Sequence, residues 1–232
     1  MVPTSHDIPG NTGRKAGSWL GEFAAPDYVF RDAGVELTLA SPEGGQPPID
    51  PKSDLPESQT PAMVRFKKDL ATQSALERTL KLKDIRSENF DTIFYSGGHG
   101  PVWDLVDNPQ SIALIESFYK SGKPVAAVCH APAALHRVMY QGAPIVTGKR
   151  ITGSTDSEEE EAQLTHVVPF LVEDELKRLG GSFEKAPNWQ SFAITDGRLI
   201  TGQNPASSTA GTQALLKLLS DMQPSAHTSS AS

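Results

Sequence analysis

Short apolar runs alternate along the chain with longer segments in which apolar residues recur at helical spacing. Residues 92–95 and 125–128 are apolar runs with the length of buried strands. Between them, residues 110–120 carry an apolar side chain at every third or fourth position, which predicts an amphipathic helix. A strand, a helix and a second strand in this order predict a right-handed crossover in a parallel sheet. The pattern therefore indicates an α/β fold.

Further elements are predicted on both sides of this unit. Residues 19–33 have apolar side chains at helical spacing, and residues 35–40 alternate as a strand does. Residues 192–201 contain an Asp-Gly pair at positions 196–197 between two β-prone runs. This is a strong signal for a hairpin with a two-residue turn. Residues 205–219 predict the last helix.

Composition and charge limit the classes of protein to consider. The chain has 232 residues, of which 38% are hydrophobic and 21% are charged, and these values fit one globular domain. We expect this domain over residues 1–219 and a disordered tail over residues 220–232. The net charge of −7 argues against a nucleic-acid partner, which is bound by basic patches. No membrane span and no signal peptide are recognisable, so we expect a cytoplasmic protein.

The chain contains one cysteine, Cys129, directly after the apolar run 125–128. His130 follows it, and Pro132 suits the first positions of a helix. This layout is typical of a nucleophile elbow, in which a sharp turn from strand to helix exposes a reactive side chain. We expect the positive end of the helix to lower the pKa of the Cys129 thiol. The alternative is a buried cysteine that acts only as a small apolar side chain.

Two other segments carry candidate chemistry. Residues 96–101 are rich in glycine and follow the other predicted strand, so the N–H groups of this turn could form an oxyanion hole. Ligands of parallel sheets bind beyond the carboxyl ends of the strands, which places this turn and Cys129 at the same edge. Glu22 lies among apolar residues of the first predicted helix. By itself that position favours a solvated acid at the start of a helix.

Residues 156–161 form an acidic run with one serine. Such a run is usually a solvated helix start, but a carboxylate placed near His130 would orient the imidazole ring. The six histidines show no compact ligand spacing beside cysteines. We therefore predict no metal and no cofactor.

Taken together and in this order, Glu22, residues 97–100 and the pair Cys129-His130 resemble the ThiJ/PfpI superfamily, which is related to class I glutamine amidotransferases. More narrowly, the chain is similar to the glutathione-independent glyoxalase III and heat-shock chaperone branch over residues 4–218. The resemblance implies a flavodoxin-like three-layer sandwich with a mainly parallel sheet, helices on both faces and a C-terminal β-hairpin. The segments that carry it are 19–26, 40–51, 97–105, 127–132 and 200–208.

The resemblance also implies roles for individual residues. Cys129 matches the family nucleophile, His130 the general acid and base, and Glu22 the acid that hydrogen-bonds the sulfur. Glu159 matches the third member of the triad best, with Asp156 and Glu158 as alternatives. The residues expected to bind substrate or form the oxyanion hole are Gly97, Gly98, His99 and Trp103.

The implied activity is conversion of methylglyoxal and related 2-oxoaldehydes to D-lactate through a cysteine hemithioacetal. This lyase reaction (D-lactate dehydratase, glyoxalase III) needs no glutathione and no metal, and a homodimer is expected. The alternatives are a stress-related holding chaperone that binds unfolded proteins, a protein deglycase and a redox-sensing protein. A cysteine hydrolase or amidotransferase is less favoured, because no His-x-Glu pair follows the cysteine.

Three positions depart from the family pattern. Only residues 1–3 stand where the family has a full first strand, so this central strand is expected to be short. Ser96 replaces a common proline, and Ser154 replaces a common aromatic residue. None of the three removes a candidate catalytic group.

Overall fold

The computed structural model describes residues 1–222. Its α-helices are α1 (Leu20–Asp32), α2 (Pro61–Phe66), α3 (Leu70–Leu76), α4 (Pro101–Asp104), α5 (Pro109–Lys120), α6 (Asp156–Glu161), α7 (Val172–Arg178) and α8 (Ser208–Met222). Its strands are β1 (Ala40–Ser41), β2 (Leu80–Lys81), β3 (Ile93–Tyr95), β4 (Val125–Val128), β5 (Met139–Tyr140), β6 (Ala143–Pro144), β7 (Arg150–Ile151), β8 (Ser182–Phe183), β9 (Ala193–Asp196) and β10 (Leu199–Gly202).

The central sheet has the strand order β3-β4-β10-β9. Strand β4 pairs in parallel with both β3 and β10, whereas β9 runs antiparallel to β10. The remaining strands form separate pairs, β1 with β2, β5 with β6 and β7 with β8. The predicted α/β fold with a mainly parallel sheet and a C-terminal hairpin is thus confirmed.

Successive residues of the central strands bury their side chains on opposite faces of the sheet, as the period of a strand requires. Ile93 and Tyr95 belong to a large core cluster that includes residues of α5. Phe94, between them, belongs to a second cluster with Phe30 of α1 and Leu215 of α8. Helices therefore cover both faces, which confirms the three-layer arrangement.

The hairpin forms one position later than predicted. Leu199 pairs with Asp196, so the two turn residues are Gly197 and Arg198 rather than Asp196 and Gly197. Gly197 has a φ of +60°, a left-handed conformation that glycine adopts without a steric penalty. The Asp-Gly signal located the turn, and the position of the glycine fixed its register.

The strand predicted over residues 35–40 is largely absent, and only Ala40 lies in β1. The chain segment beside β3 is instead Met1 and Val2, where the Val2 N–H donates to Phe94 O (2.8 Å) and Val2 O accepts from the N–H of Ser96 (3.1 Å). This segment is short, so residues 35–39 have little extended backbone to pair with. A strand forms only where a neighbouring strand accepts its hydrogen bonds.

Helix α8 continues to Met222, past Leu219, which was the last helical residue expected. A disordered tail is therefore wrong for residues 220–222, while residues 223–232 lie outside the described part of the chain. Within residues 1–222, none of the helices combines the length and apolar character needed to cross a membrane.

Truncation of Leu135 tests the core behind the Cys129 bend. Its side chain is fully buried, so Leu135→Ala should lower the free energy of unfolding by about 2–5 kcal/mol. Leu70 is 77% exposed, and Leu70→Ala should change it by less than about 0.5 kcal/mol. Urea unfolding of both variants and the parent measures the difference, and equal losses would contradict the assigned core.

Candidate active site

The backbone bends sharply at Cys129, directly after strand β4. Cys129 has a φ of +61°, a conformation that costs a residue with a side chain about 1–3 kcal/mol and is frequent at functional sites. The Cys129 N–H donates to Gly202 O (2.9 Å), and the N–H of Ser154 donates to Cys129 O (2.8 Å). Neighbouring segments thus hold the bend in place, and a 3₁₀ helix (Ala131–Leu135) follows it.

The sulfur faces a cavity of about 340 Å³. The cavity opens at the carboxyl ends of β3 and β4, where the glycine-rich turn and Cys129 were expected to meet. Although Cys129 is only 7% exposed, its side chain lines this space, so a small molecule can reach it. The buried or half-buried ionisable residues that line the cavity are Glu22, Asp50, His99, Cys129, His130, Glu158 and Glu159.

Cys129, His130 and Glu159 form a chain of polar contacts. The sulfur lies 3.3 Å from His130 Nδ1, and His130 Nε2 lies 2.5 Å from Glu159 Oε2. The other carboxylate oxygen of Glu159 accepts from Nε2 of His99 (2.9 Å). Because an ionised carboxylate only accepts hydrogen bonds, both Nε2 atoms carry a proton. The Nδ1 atom of a neutral His130 is then free to take the thiol proton.

Opposing effects set the charges of the contacting residues Glu159, His130 and His99. Burial acts to raise the pKa of Glu159, but His130 and His99 outweigh it and hold this pKa far below its ordinary value. Burial acts to lower the pKa of His130, and the Glu159 carboxylate more than offsets it, so the net pKa is raised. Burial and the neighbouring His130 lower the pKa of His99. Glu159 is therefore ionised, His99 is neutral, and His130 is the ring that can gain a proton.

The neighbouring acids of the run have other partners. Glu158 completes a capping box with Thr155 at the start of α6. Its Oε1 atom also accepts from the N–H of Trp189 (2.8 Å) and from the side-chain amides of Gln203 (3.0 Å) and Asn204 (2.8 Å). Glu158 thus ties α6 to two other segments. The backbone N–H of Asp156 donates to Glu173 (3.0 Å). The structure therefore brings Glu159, and neither alternative, into hydrogen-bond contact with His130.

Glu22 lies in the first turn of α1 and is fully buried. Its carboxyl group and Cys129 converge beside Gly97, because a Cβ atom at Gly97 would lie 1.9 Å from Glu22 Oε2 and 2.7 Å from Cys129 Cβ. Burial raises the pKa of Glu22 to about 8. Neither carboxyl oxygen has a hydrogen bond of normal geometry within the described residues. Near neutral pH, Glu22 is therefore a neutral acid placed beside the sulfur.

The expected lowering of the Cys129 pKa is wrong. Burial raises the pKa of the thiol well above its ordinary value, whereas the N–H of Gly98 opposes the shift. The following helix is a five-residue 3₁₀ segment, which offers little aligned dipole to set against burial. Cys129 is therefore a thiol at rest, and ionisation requires the transfer of its proton to a neighbouring base.

The expected substrate-binding residues divide into two groups. Gly98 and His99 line the cavity, and Gly97 lies against Glu22 and Cys129 as described. Trp103 is not among the lining residues; its ring stacks on His6 with 5.0 Å between the ring centroids. The structure thus places Trp103 against the N-terminal segment rather than in the cavity.

His99, His130 and Glu159 also form a candidate metal site, since one ligand atom from each lies within 4.8 Å of the others. The three residues are far apart in the sequence, so their spacing did not predict this grouping. The atoms concerned hydrogen-bond one another, so a metal ion would have to displace these protons. The absence of a metal requirement remains a prediction.

The lining residues that sequence reasoning missed include Arg14, Lys15, Lys52 and Trp189. They belong to three segments that meet only in the folded chain. The positive φ of Trp189, +61°, is a signal of function that only coordinates provide.

Comparisons with known proteins match nearly the whole chain. Residues 20–218 match the model of the DJ-1/PfpI family. The chain is 30% identical to "Glyoxalase 3" of Candida albicans, over 84% of this chain and 86% of the relative. It is 31% identical to "Glutathione-independent glyoxalase HSP31" of Saccharomyces cerevisiae, over 87% and 89%. The crystal structure of glyoxalase III from Candida albicans superposes with a TM-score of 0.87 and 27% identity, covering 93% of this chain and 94% of that one.

The pH dependence of stability tests the state of Glu22. Its pKa of about 8 in the folded protein exceeds the ordinary value of 4.5, so the folded state retains a proton that the unfolded state loses between these values. As the pH rises from 4.5 to about 8, the free energy of unfolding of the parent should therefore fall relative to that of Glu22→Gln. The slope should reach about 1.4 kcal/mol per pH unit.

Urea unfolding of both proteins between about pH 5 and pH 8 measures this difference. The control is Glu36→Gln, which removes an exposed carboxyl group. If the two variants differ from the parent in the same way at every pH, Glu22 does not titrate as described.

Proposed function

Because the chain belongs to the DJ-1/PfpI family, we propose that it is a glutathione-independent glyoxalase, a lyase that converts methylglyoxal and related 2-oxoaldehydes to D-lactate and related 2-hydroxy acids. Relatives that are 30% and 31% identical over most of their length carry glyoxalase names. The observation that carries the proposal is the contact chain from the Cys129 sulfur through His130 to Glu159, at a bend that opens into a cavity.

The first step is addition of the sulfur to the aldehyde. His130 Nδ1 accepts the thiol proton, and the sulfur forms a bond to the aldehyde carbon while the carbonyl oxygen gains negative charge. The N–H of Gly98, which already points towards the sulfur, donates to this oxygen. One such donor typically contributes about 3 kcal/mol of transition-state stabilisation. Protonation of the oxygen gives the hemithioacetal.

The second step moves a proton between neighbouring carbon atoms. His130 removes the hydrogen from the carbon that holds the sulfur, which gives an enediol, and returns a proton to the adjacent carbon. The product is a thioester of the 2-hydroxy acid. Water then attacks the thioester and releases the acid, and the thiol regains its proton. The carbon skeleton is oxidised at one carbon and reduced at the other, so no external electron acceptor is needed.

Glu22 and Glu159 support these steps in opposite charge states. As a neutral acid, Glu22 can donate its proton to a sulfur that carries negative charge, whereas an ionised Glu22 would repel it. As a carboxylate, Glu159 fixes the orientation of His130 and stabilises its protonated form. Roles for Gly98, His99 and these two acids remain part of the proposal.

Other properties implied by the resemblance remain predictions. They are the homodimer, a holding activity towards unfolded proteins, protein deglycation and the cytoplasmic location. No feature of residues 1–222 favours one of these as a second function over the aldehyde chemistry of the Cys129 site.

Removal of the sulfur should abolish turnover. Cys129→Ala and Cys129→Ser should lower kcat/KM for methylglyoxal by at least about 10³-fold, because the covalent intermediate cannot form. The measurement is the loss of methylglyoxal and the appearance of D-lactate without added glutathione. Circular dichroism and thermal unfolding confirm that the variants are folded, and activity within tenfold of the parent would refute the covalent route.

Glu159 can be compared with its neighbour on the same helix. Glu159→Gln should lower kcat about 10²–10⁴-fold. It should also move the acid limb of the pH profile to lower pH, because the carboxylate raises the pKa of His130. Glu160 is exposed, and Glu160→Gln should match the parent in both respects. An unchanged pH profile in Glu159→Gln would remove Glu159 from the proposed mechanism.

A further inference from the structure

Three cationic side chains stand where the cavity meets solvent. Arg14 and Lys15 lie in the loop before α1, and Lys52 lies in a 3₁₀ helix (Pro51–Asp54); all three are exposed and line the cavity. Within residues 1–222, none of them has a carboxylate partner within 4.0 Å. They come from two separate segments, so the fold itself gathers them at one opening.

This cluster of three cations contrasts with the net negative charge of the chain. The sequence holds 28 acidic and 21 strongly basic residues, and many of its cations form ion pairs elsewhere on the surface, including Arg65 with Asp32 and Lys67 with Asp54. An unpaired cationic cluster at the entrance of a cavity attracts anionic ligands and raises their rate of association.

The acids that line the cavity are buried, whereas the three cations are exposed. Glu22 carries a proton near neutral pH because burial raises its pKa to about 8. Glu159 lies between two imidazole rings, and Glu158 accepts four N–H donors. Asp50 is buried and accepts the backbone N–H of Lys52 (2.9 Å). Among the charged residues that line the cavity, the exposed ones are therefore the cations.

The cavity is also large for a three-carbon aldehyde. Its volume of about 340 Å³ lies within the range of pockets that enclose drug-sized ligands. Trp19, Leu164 and Trp189 contribute apolar surface. Trp189 is 48% exposed but fixed, because its backbone N–H donates to Glu158 and its indole N–H donates to Glu161.

We propose that the site prefers a 2-oxoaldehyde longer than methylglyoxal that carries an anionic group at the end remote from the aldehyde. The aldehyde reaches the Cys129 sulfur, the carbon chain contacts the tryptophan walls, and the anion faces Arg14, Lys15 and Lys52. The inference rests on the proposed glyoxalase function, and it names the substrate class of that same site.

The test compares an anionic substrate with a neutral one of the same length. The probes are 4,5-dioxopentanoate and its methyl ester, assayed without glutathione at low ionic strength. The parent should favour the anion in kcat/KM by about tenfold, the combined effect of several exposed charge contacts. Arg14→Gln/Lys15→Gln/Lys52→Gln should bring the ratio of the two kcat/KM values close to one, and high salt should do the same in the parent.

A matched control separates local recognition from overall charge. Lys68→Gln/Lys83→Gln/Arg86→Gln removes the same number of exposed cations away from the cavity, and it should retain the preference of the parent. Equal kcat/KM values for the two probes in the parent, or the same loss in both triple variants, would overturn the inference.

Binding to the Cys129→Ser variant, measured by calorimetry, tests recognition without the chemical step. Tighter binding of 4,5-dioxopentanoate than of the ester supports the inference, and equal binding overturns it. A parent that does not turn over methylglyoxal contradicts the proposed function, and the calorimetric comparison still decides whether the opening selects anions.

Discussion

A buried negative charge on Glu159, held between two imidazole rings, is the interaction on which the site depends. An isolated carboxylate in this position would take up a proton. The hydrogen bonds from His130 and His99 keep it ionised, and the ionised carboxylate in turn fixes the tautomer of His130. The Nδ1 atom that faces the sulfur is therefore the one that can accept a proton. The placement of α6, secured through Glu158, sets the position of Glu159.

Glu22 is also a buried acid, but it is protonated rather than ionised. Burial outweighs the opposing effect of the nearby His130 on its carboxyl group, so the protonated form is favoured. The close approach of Glu22 and Cys129 requires a glycine at position 97, because a Cβ atom there would overlap the carboxyl group. Two acids from distant parts of the chain thus line one cavity in different charge states, and each state follows from the groups around it.

Local patterns predicted what depends on neighbours in the sequence. The apolar runs became β3 and β4, and the strand-to-turn signal placed Cys129 on a bend. Predictions failed where a distant partner decides the outcome. Residues 35–39 found little extended backbone beside them, and Trp103 stacks on His6 instead of lining the cavity. The thiol pKa failed for the same reason, because burial by the whole fold outweighs one short helical turn. Glu159 and His130 are 29 residues apart in the sequence. No local pattern predicts a contact over that separation.

The raised pKa of the buried thiol has a consequence for damage by oxidants. Peroxides react with the thiolate form of cysteine, and their access depends on exposure. A sulfur that stays protonated inside a cavity presents little thiolate to hydrogen peroxide. Oxidation of the sulfur therefore requires that the thiol first lose its proton, and His130 Nδ1, 3.3 Å away, is the base in contact with it.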